Sequence, residues 1–162
     1  MKADDLALLR ELHHDKMTNY LRHIAVARLV SDYEFNNAYQ YVINREDTHL
    51  RWLEAAITEF GGAPDVVAEP TVVAASGKKN DKFLPLVAVD AQQAGELAAK
   101  WKLRVADIRS DRHRKLANVI VGETLEQKRF FDQVGSGQDD LLGRRMAGAS
   151  TGDGVMPVRW VE

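Results

Sequence analysis

Four stretches of this chain repeat apolar residues every three or four positions, and each is long enough for six or more helical turns. The first runs from about 4 to 28, with Leu6, Leu9, His13, Met17, Tyr20 and Ile24 along one stripe. The second covers 32–60 and lines up Tyr39, Val42, Glu46, His49, Leu53, Ile57 and Phe60. The third, 82–106, carries Leu86, Asp90, Gln93, Leu97, Trp101 and Val105. The fourth, 111–134, carries Leu116, Ile120, Glu123, Glu126 or Gln127, and Phe130. Strand-like alternation is nearly absent, and "TVVAA" at Thr71–Ala75 is expected to be extended coil. The pattern therefore restricts the chain to an all-α fold.

The punctuation agrees. Ser31 followed by Glu34 has the spacing of a capping box and marks a helix start. Gly61-Gly62 supplies a left-handed stop and Pro64 blocks continuation. A long connection, 61–81, separates the second helix from the third, whereas the other two connections are short. Two αα-hairpins joined by a long crossover, packed as a four-helix bundle over residues 1–137, are the expected architecture. The Gly-rich remainder, 138–162, ends in Met156, Val158, Trp160 and Val161, and docking on the body or on a second subunit is expected of it.

Several function classes drop out. A formal net charge of −2 offers no basic surface for nucleic acid or an anionic membrane. With no cysteine, thiolate metal sites, iron–sulfur clusters and cysteine nucleophiles are excluded. The N-terminus, "MKADDLALLRELHHDK", interleaves charges with leucines, so neither a signal peptide nor a membrane span is expected, and the cytoplasm is the expected compartment. No phosphate-binding glycine loop, nucleophile elbow or His-Glu-x-x-His motif occurs.

What stands out is charge on the apolar stripes. His13 lies on the first helix, with Glu46 and His49 on the second. Asp90 lies on the third, with Glu123 and Glu126 on the fourth. The offsets match, since 46 − 13 = 33 and 123 − 90 = 33. At 1.5 Å per residue, His13 and Glu46 each lie about 25 Å from the first turn, so all six side chains are expected in one layer. Four carboxylates in one buried layer repel one another and resist desolvation. Two divalent ions offset four carboxylates, and oxygen donors with one or two imidazoles suit iron or manganese, with zinc a further candidate. The competing reading of each residue is structural: Asp90 as an acid near a helix N-terminus, His13 as a bonded core histidine, Gln93 as a satisfied core amide, and Tyr20 and Tyr39 as packing residues.

With its two-hairpin layout, long connection and "EDTH" at Glu46–His49, the chain resembles the ferritin-like superfamily of di-iron and di-manganese carboxylate bundles. In that pattern each hairpin supplies a Glu from its first helix and a Glu-x-x-His from its second. The likeness spans about Asp4 to Val134 and departs at three positions: His13 and Asp90 replace Glu, and Glu126 replaces the second His. The resemblance implies a metal set of Glu46, His49, Glu123, Glu126, Asp90 and His13. It also implies an iron- or manganese-dependent oxidoreductase acting with dioxygen or peroxide; a homo-oligomer, a dimer, is the expected assembly. The alternative expectation is a non-catalytic helical module for dimerisation or partner binding, with a buried polar network in place of the metal site.

Overall fold

The computed structural model describes residues 4–137, and the expected docking of the 138–162 tail lies outside them. The described chain is all helical. Four long helices, α1 (Asp5–Leu29), α2 (Tyr33–Glu59), α3 (Leu84–Arg104) and α4 (Asp111–Gly135), are accompanied by two short 3-10 turns, Lys79–Lys82 and Val105–Asp107. No strand occurs among the described residues, and 71–75 is irregular, as its composition implied. No helix among them is long and apolar enough to cross a membrane.

Local chemistry sets the helix ends. Asp32 caps α2, accepting a hydrogen bond from Phe35 N–H at 3.0 Å; the cap is one residue beyond Ser31, where the capping-box spacing placed it. At the other end Gly61 takes φ +73°, Gly62 N–H donates to the Ile57 carbonyl and Gly61 N–H to that of Thr58, which is a Schellman closure. A Cβ on Gly62 would come within 2.5 Å of the Leu6 side chain, so this glycine also lets α1 approach the end of α2.

The helices pack as α1 on α2 and α3 on α4, with smaller α1–α3 and α2–α4 contacts. Side-chain pairs fix their directions. Asp5, at the start of α1, accepts from the backbone N–H groups of Arg109 and Ser110, at the start of α4. Arg22, near the end of α1, reaches Asp90, near the start of α3. Arg112 at the start of α4 meets Glu59 at the end of α2. Successive partners are thus antiparallel, and α2 and α3 point the same way. The connection between them passes along α1, where Asp65 pairs with Arg10 and Glu69 with Arg28.

The apolar core comes in two blocks. Leu9, Leu12, Leu53, Ile57, Trp101, Ile108 and Ile120 fill one end of the bundle. Val26, Tyr39, Val42, Phe83, Val87, Phe131 and Val134 fill the other. Each fully buried side chain of this size stabilises the fold by about 1.5–3 kcal/mol. Between the blocks the core is polar.

Candidate functional site

The centre of that polar layer is Lys16. Its Nζ donates to Glu46 Oε1 at 2.8 Å, and both side chains are 0% exposed. Two neutral acceptors from α4 complete its surroundings, Gln127 Oε1 at 3.3 Å and Thr124 Oγ1 at 3.5 Å. The second Glu46 oxygen accepts from His23 Nδ1 at 2.6 Å. Burial alone would raise the Glu46 carboxyl, but His23 and Lys16 outweigh burial and hold it at about 2.

The network continues in both directions along the bundle. His23 Nε2 stands 3.8 Å from Asp90 Oδ1, which Arg22 Nε also meets at 2.6 Å. Tyr39 donates its hydroxyl to Asp90 Oδ2 at 2.5 Å. Burial and the Asp90 charge push the Tyr39 hydroxyl well above its usual range, so it stays a donor. On the opposite side of Glu46, His49 Nε2 donates to Glu123 Oε2 at 2.6 Å, and Arg45 forks onto the same carboxylate. Desolvation, then Lys16, push the His49 imidazole below its ordinary value despite the neighbouring carboxylates.

The charges balance within the layer. Lys16, Arg22 and Arg45 stand against Glu46, Asp90 and Glu123, one cation in contact with each anion. Such pairing is what burial of ionised groups demands. Four buried polar atoms in or beside the layer have no hydrogen-bond partner among the described residues: His13 Nδ1, His23 Nε2, His49 Nδ1 and Gln127 Nε2.

Of the six residues singled out in the sequence, Glu46, His49, Asp90 and His13 are buried. Glu123 is 30% exposed at the edge of the layer. Glu126 lies on the surface, 59% exposed and paired with Arg129, while its neighbour Gln127 takes the inward place. Nor do the buried four share one level. His13 faces Glu54 at 3.4 Å, about two turns along α2 from Glu46, and Asp90 belongs with Arg22 and Tyr39.

The reason is the position of the first turn. Leu29 ends α1 and Tyr33 begins α2, so the hairpin folds about residue 31. Lys16 and Glu46 are each fifteen residues from that point. His13 is eighteen from it, and its side chain reaches Glu54, eight residues beyond Glu46. The sequence stripe through His13, Met17, Tyr20 and Ile24 is also rotated by about one residue. The buried line is Leu9, Leu12, His13, Lys16, Asn19, His23 and Val26, continued by Val30 at the C-cap. A signal for Lys16 and His23 was present, since both fall on that 3–4 spacing, seven residues apart.

The ferritin-like pattern implies two metal ions in this layer, and the donor set here does not fit them. Where hairpin two would supply Glu-x-x-His, the inward pair is Thr124 and Gln127. Both oxygens of Glu46, the best-placed carboxylate, are already bonded to Lys16 and His23. Among the described residues no group of three or more His, Asp and Glu side chains is placed to hold a metal ion. No family model, curated protein or solved structure matches the chain.

Proposed function

We propose that this chain is a non-catalytic ferritin-like helical module, in which a side-chain ion network takes the place the superfamily pattern gives to metals. Its work is then dimerisation or partner binding on a stable scaffold, without redox turnover. One observation carries the reading: the Lys16 ammonium lies against Glu46 with both groups closed to water. A divalent ion at Glu46 would have to displace an ammonium held by three acceptors, leaving that charge buried and unpaired.

The fold supports it as well. Two antiparallel hairpins whose middle helices run parallel need one long connection, and ferritin-like bundles have one. The "EDTH" pair sits in the bundle centre, with Glu46 and His49 both 0% exposed.

Elemental analysis of the full chain, purified without chelator and then incubated with iron, manganese or zinc, tests the proposal. The expected outcome is sub-stoichiometric metal and an unchanged melting temperature, because a metal that binds only the native state must raise it. A full equivalent of iron or manganese, lost in Glu46→Ala and Glu123→Ala, would overturn the proposal. The reading would then be an iron- or manganese-dependent oxidoreductase using dioxygen or peroxide.

A further inference from the structure

Between the second half of α2 and the first half of α4 lies an open groove of about 420 Å³. Ala55, Ala56 and Leu116 line it together with Trp52 and Val119, which are 38% and 49% exposed. Arg112 and Lys115 supply its charged lining. Arg112 is engaged by Glu59 at 3.1 Å, whereas no described carboxylate pairs with Lys115. A contiguous apolar groove rimmed by charge is the kind of surface on which an apolar segment docks.

A matching segment exists in the same chain. Residues 155–162, "VMPVRWVE", bring Val155, Met156, Val158, Trp160 and Val161 together with one acid, Glu162. Pro157 opposes a helix there, and in an extended segment Val158, Trp160 and Glu162 fall on one side. That side pairs two apolar side chains with a carboxylate, as the groove pairs apolar walls with Lys115.

The lengths agree. The described chain leaves α4 at Gly137, and Lys115 to Val119 lie 22 to 18 residues earlier on the same helix. At 1.5 Å per residue the groove is about 27–33 Å from the root of the tail. The intervening 138–154 is Gly-rich, and a spacer of seventeen such residues has a root-mean-square span of about 23 Å and a maximum of roughly 55–60 Å. Effective concentration peaks when span and distance are similar, so docking within one chain outcompetes docking between chains at ordinary concentrations.

We propose that residues 155–162 occupy the α2–α4 groove of their own chain, with Trp160 against Trp52 and Val119 and Glu162 beside Lys115. The proposal stands whether or not the interior binds metal.

The chain has no cysteine, so an introduced pair reports its own proximity without background. Ala55→Cys with Val158→Cys in the full chain is expected to form an intramolecular disulfide at least tenfold faster than Val89→Cys with Val158→Cys. Val89 is exposed near the start of α3, which packs by the end of α4, so it lies nearer the root of the tail and an undocked tail would favour it. Adding Val119→Asp or Trp160→Ala to the first pair should remove the advantage. Both change positions outside the described core, and circular dichroism checks that the helices persist. Equal rates for the two pairs, or a disulfide joining two chains in place of one within a chain, would overturn the proposal.

Discussion

Lys16 Nζ lies 2.8 Å from Glu46 Oε1 at the centre of a core that is apolar above and below it. Each group answers the charge of the other, so neither can be removed alone without leaving a buried ion. Lys16→Met and Glu46→Leu are each expected to destabilise the chain by about 3–5 kcal/mol. The double substitution should fall much nearer the parent, because a buried ion pair replaced by apolar side chains of similar volume is close to neutral. Urea denaturation of the four proteins measures this, and additive losses would show that the pair does not act as a unit.

Acid should act through Glu46. Its folded value of about 2 lies below the ordinary 4.5, so the folded state releases this proton more readily than the unfolded chain does. The resulting stability is complete above about pH 4.5 and is lost as pH falls through 2. A shift of this size corresponds to the order of 3 kcal/mol. Glu46→Gln starts from a lower stability at neutral pH, and its stability should vary less between pH 4.5 and 2. Denaturation midpoints across that range in both proteins give the comparison.

His49 acts with the same sign at a higher pH. Its imidazole is pushed below the ordinary 6.5 by desolvation and by Lys16, so the folded state resists the proton that the unfolded chain accepts. Stability should therefore begin to fall as pH drops below about 6.5, before Glu46 starts to titrate. His49→Gln keeps a donor for Glu123 and cannot titrate, so its stability between pH 7 and 5 is expected to be flatter than the parent's. An unchanged slope in the variant would place the titration on another group.

How far could this interior be foreseen? Helix positions could, because they rest on capping residues and on the Gly61-Gly62 stop, which act locally. That Glu46 and His49 point inward was also legible, since α2 keeps its apolar residues on one well-defined stripe. α1 was harder. Leucines occur on several of its faces, so hydropathy draws the inward line about one residue off, through Met17 and Ile24 where it runs through Lys16 and His23. One turn of error in a hairpin exchanges the partners of every polar side chain, which is why His13 took the place of Lys16. The three-residue spacing from Glu123 points to Glu126, as Glu46 to His49 does, but only packing against α1 decides which of two adjacent residues, Glu126 or Gln127, faces Lys16.

Tyr39 offers a narrower test of the network. Its hydroxyl is one of two strong donors to Asp90, the other being Arg22. Tyr39→Phe keeps the ring contact with Phe131, whose centroid is 5.3 Å away, and removes only the hydrogen bond. A bond to a charged acceptor is worth about 1.5–3 kcal/mol, so a loss in that range is expected. Combined with Asp90→Asn, the loss should be less than the sum of the single losses, read from the same urea curves.

The departures from the ferritin-like pattern can be tested by reversing them. Lys16 and the inward pair Thr124 and Gln127 surround Glu46 in the bundle centre. Lys16→Glu removes the resident cation and adds a carboxylate, while Thr124→Glu with Gln127→His gives hairpin two the Glu-x-x-His that hairpin one already has. With Glu123 on His49 and His23 on Glu46, that interior would hold four carboxylates and three imidazoles, and without the Lys16 cation it should be strongly destabilised. Divalent manganese or zinc would then offset the carboxylates, so the triple variant is expected to gain stability with added metal while the parent does not. Its melting temperature should rise with metal concentration and fall back on chelation. A parent that rises as much as the variant would mean that Lys16 leaves Glu46 when metal arrives.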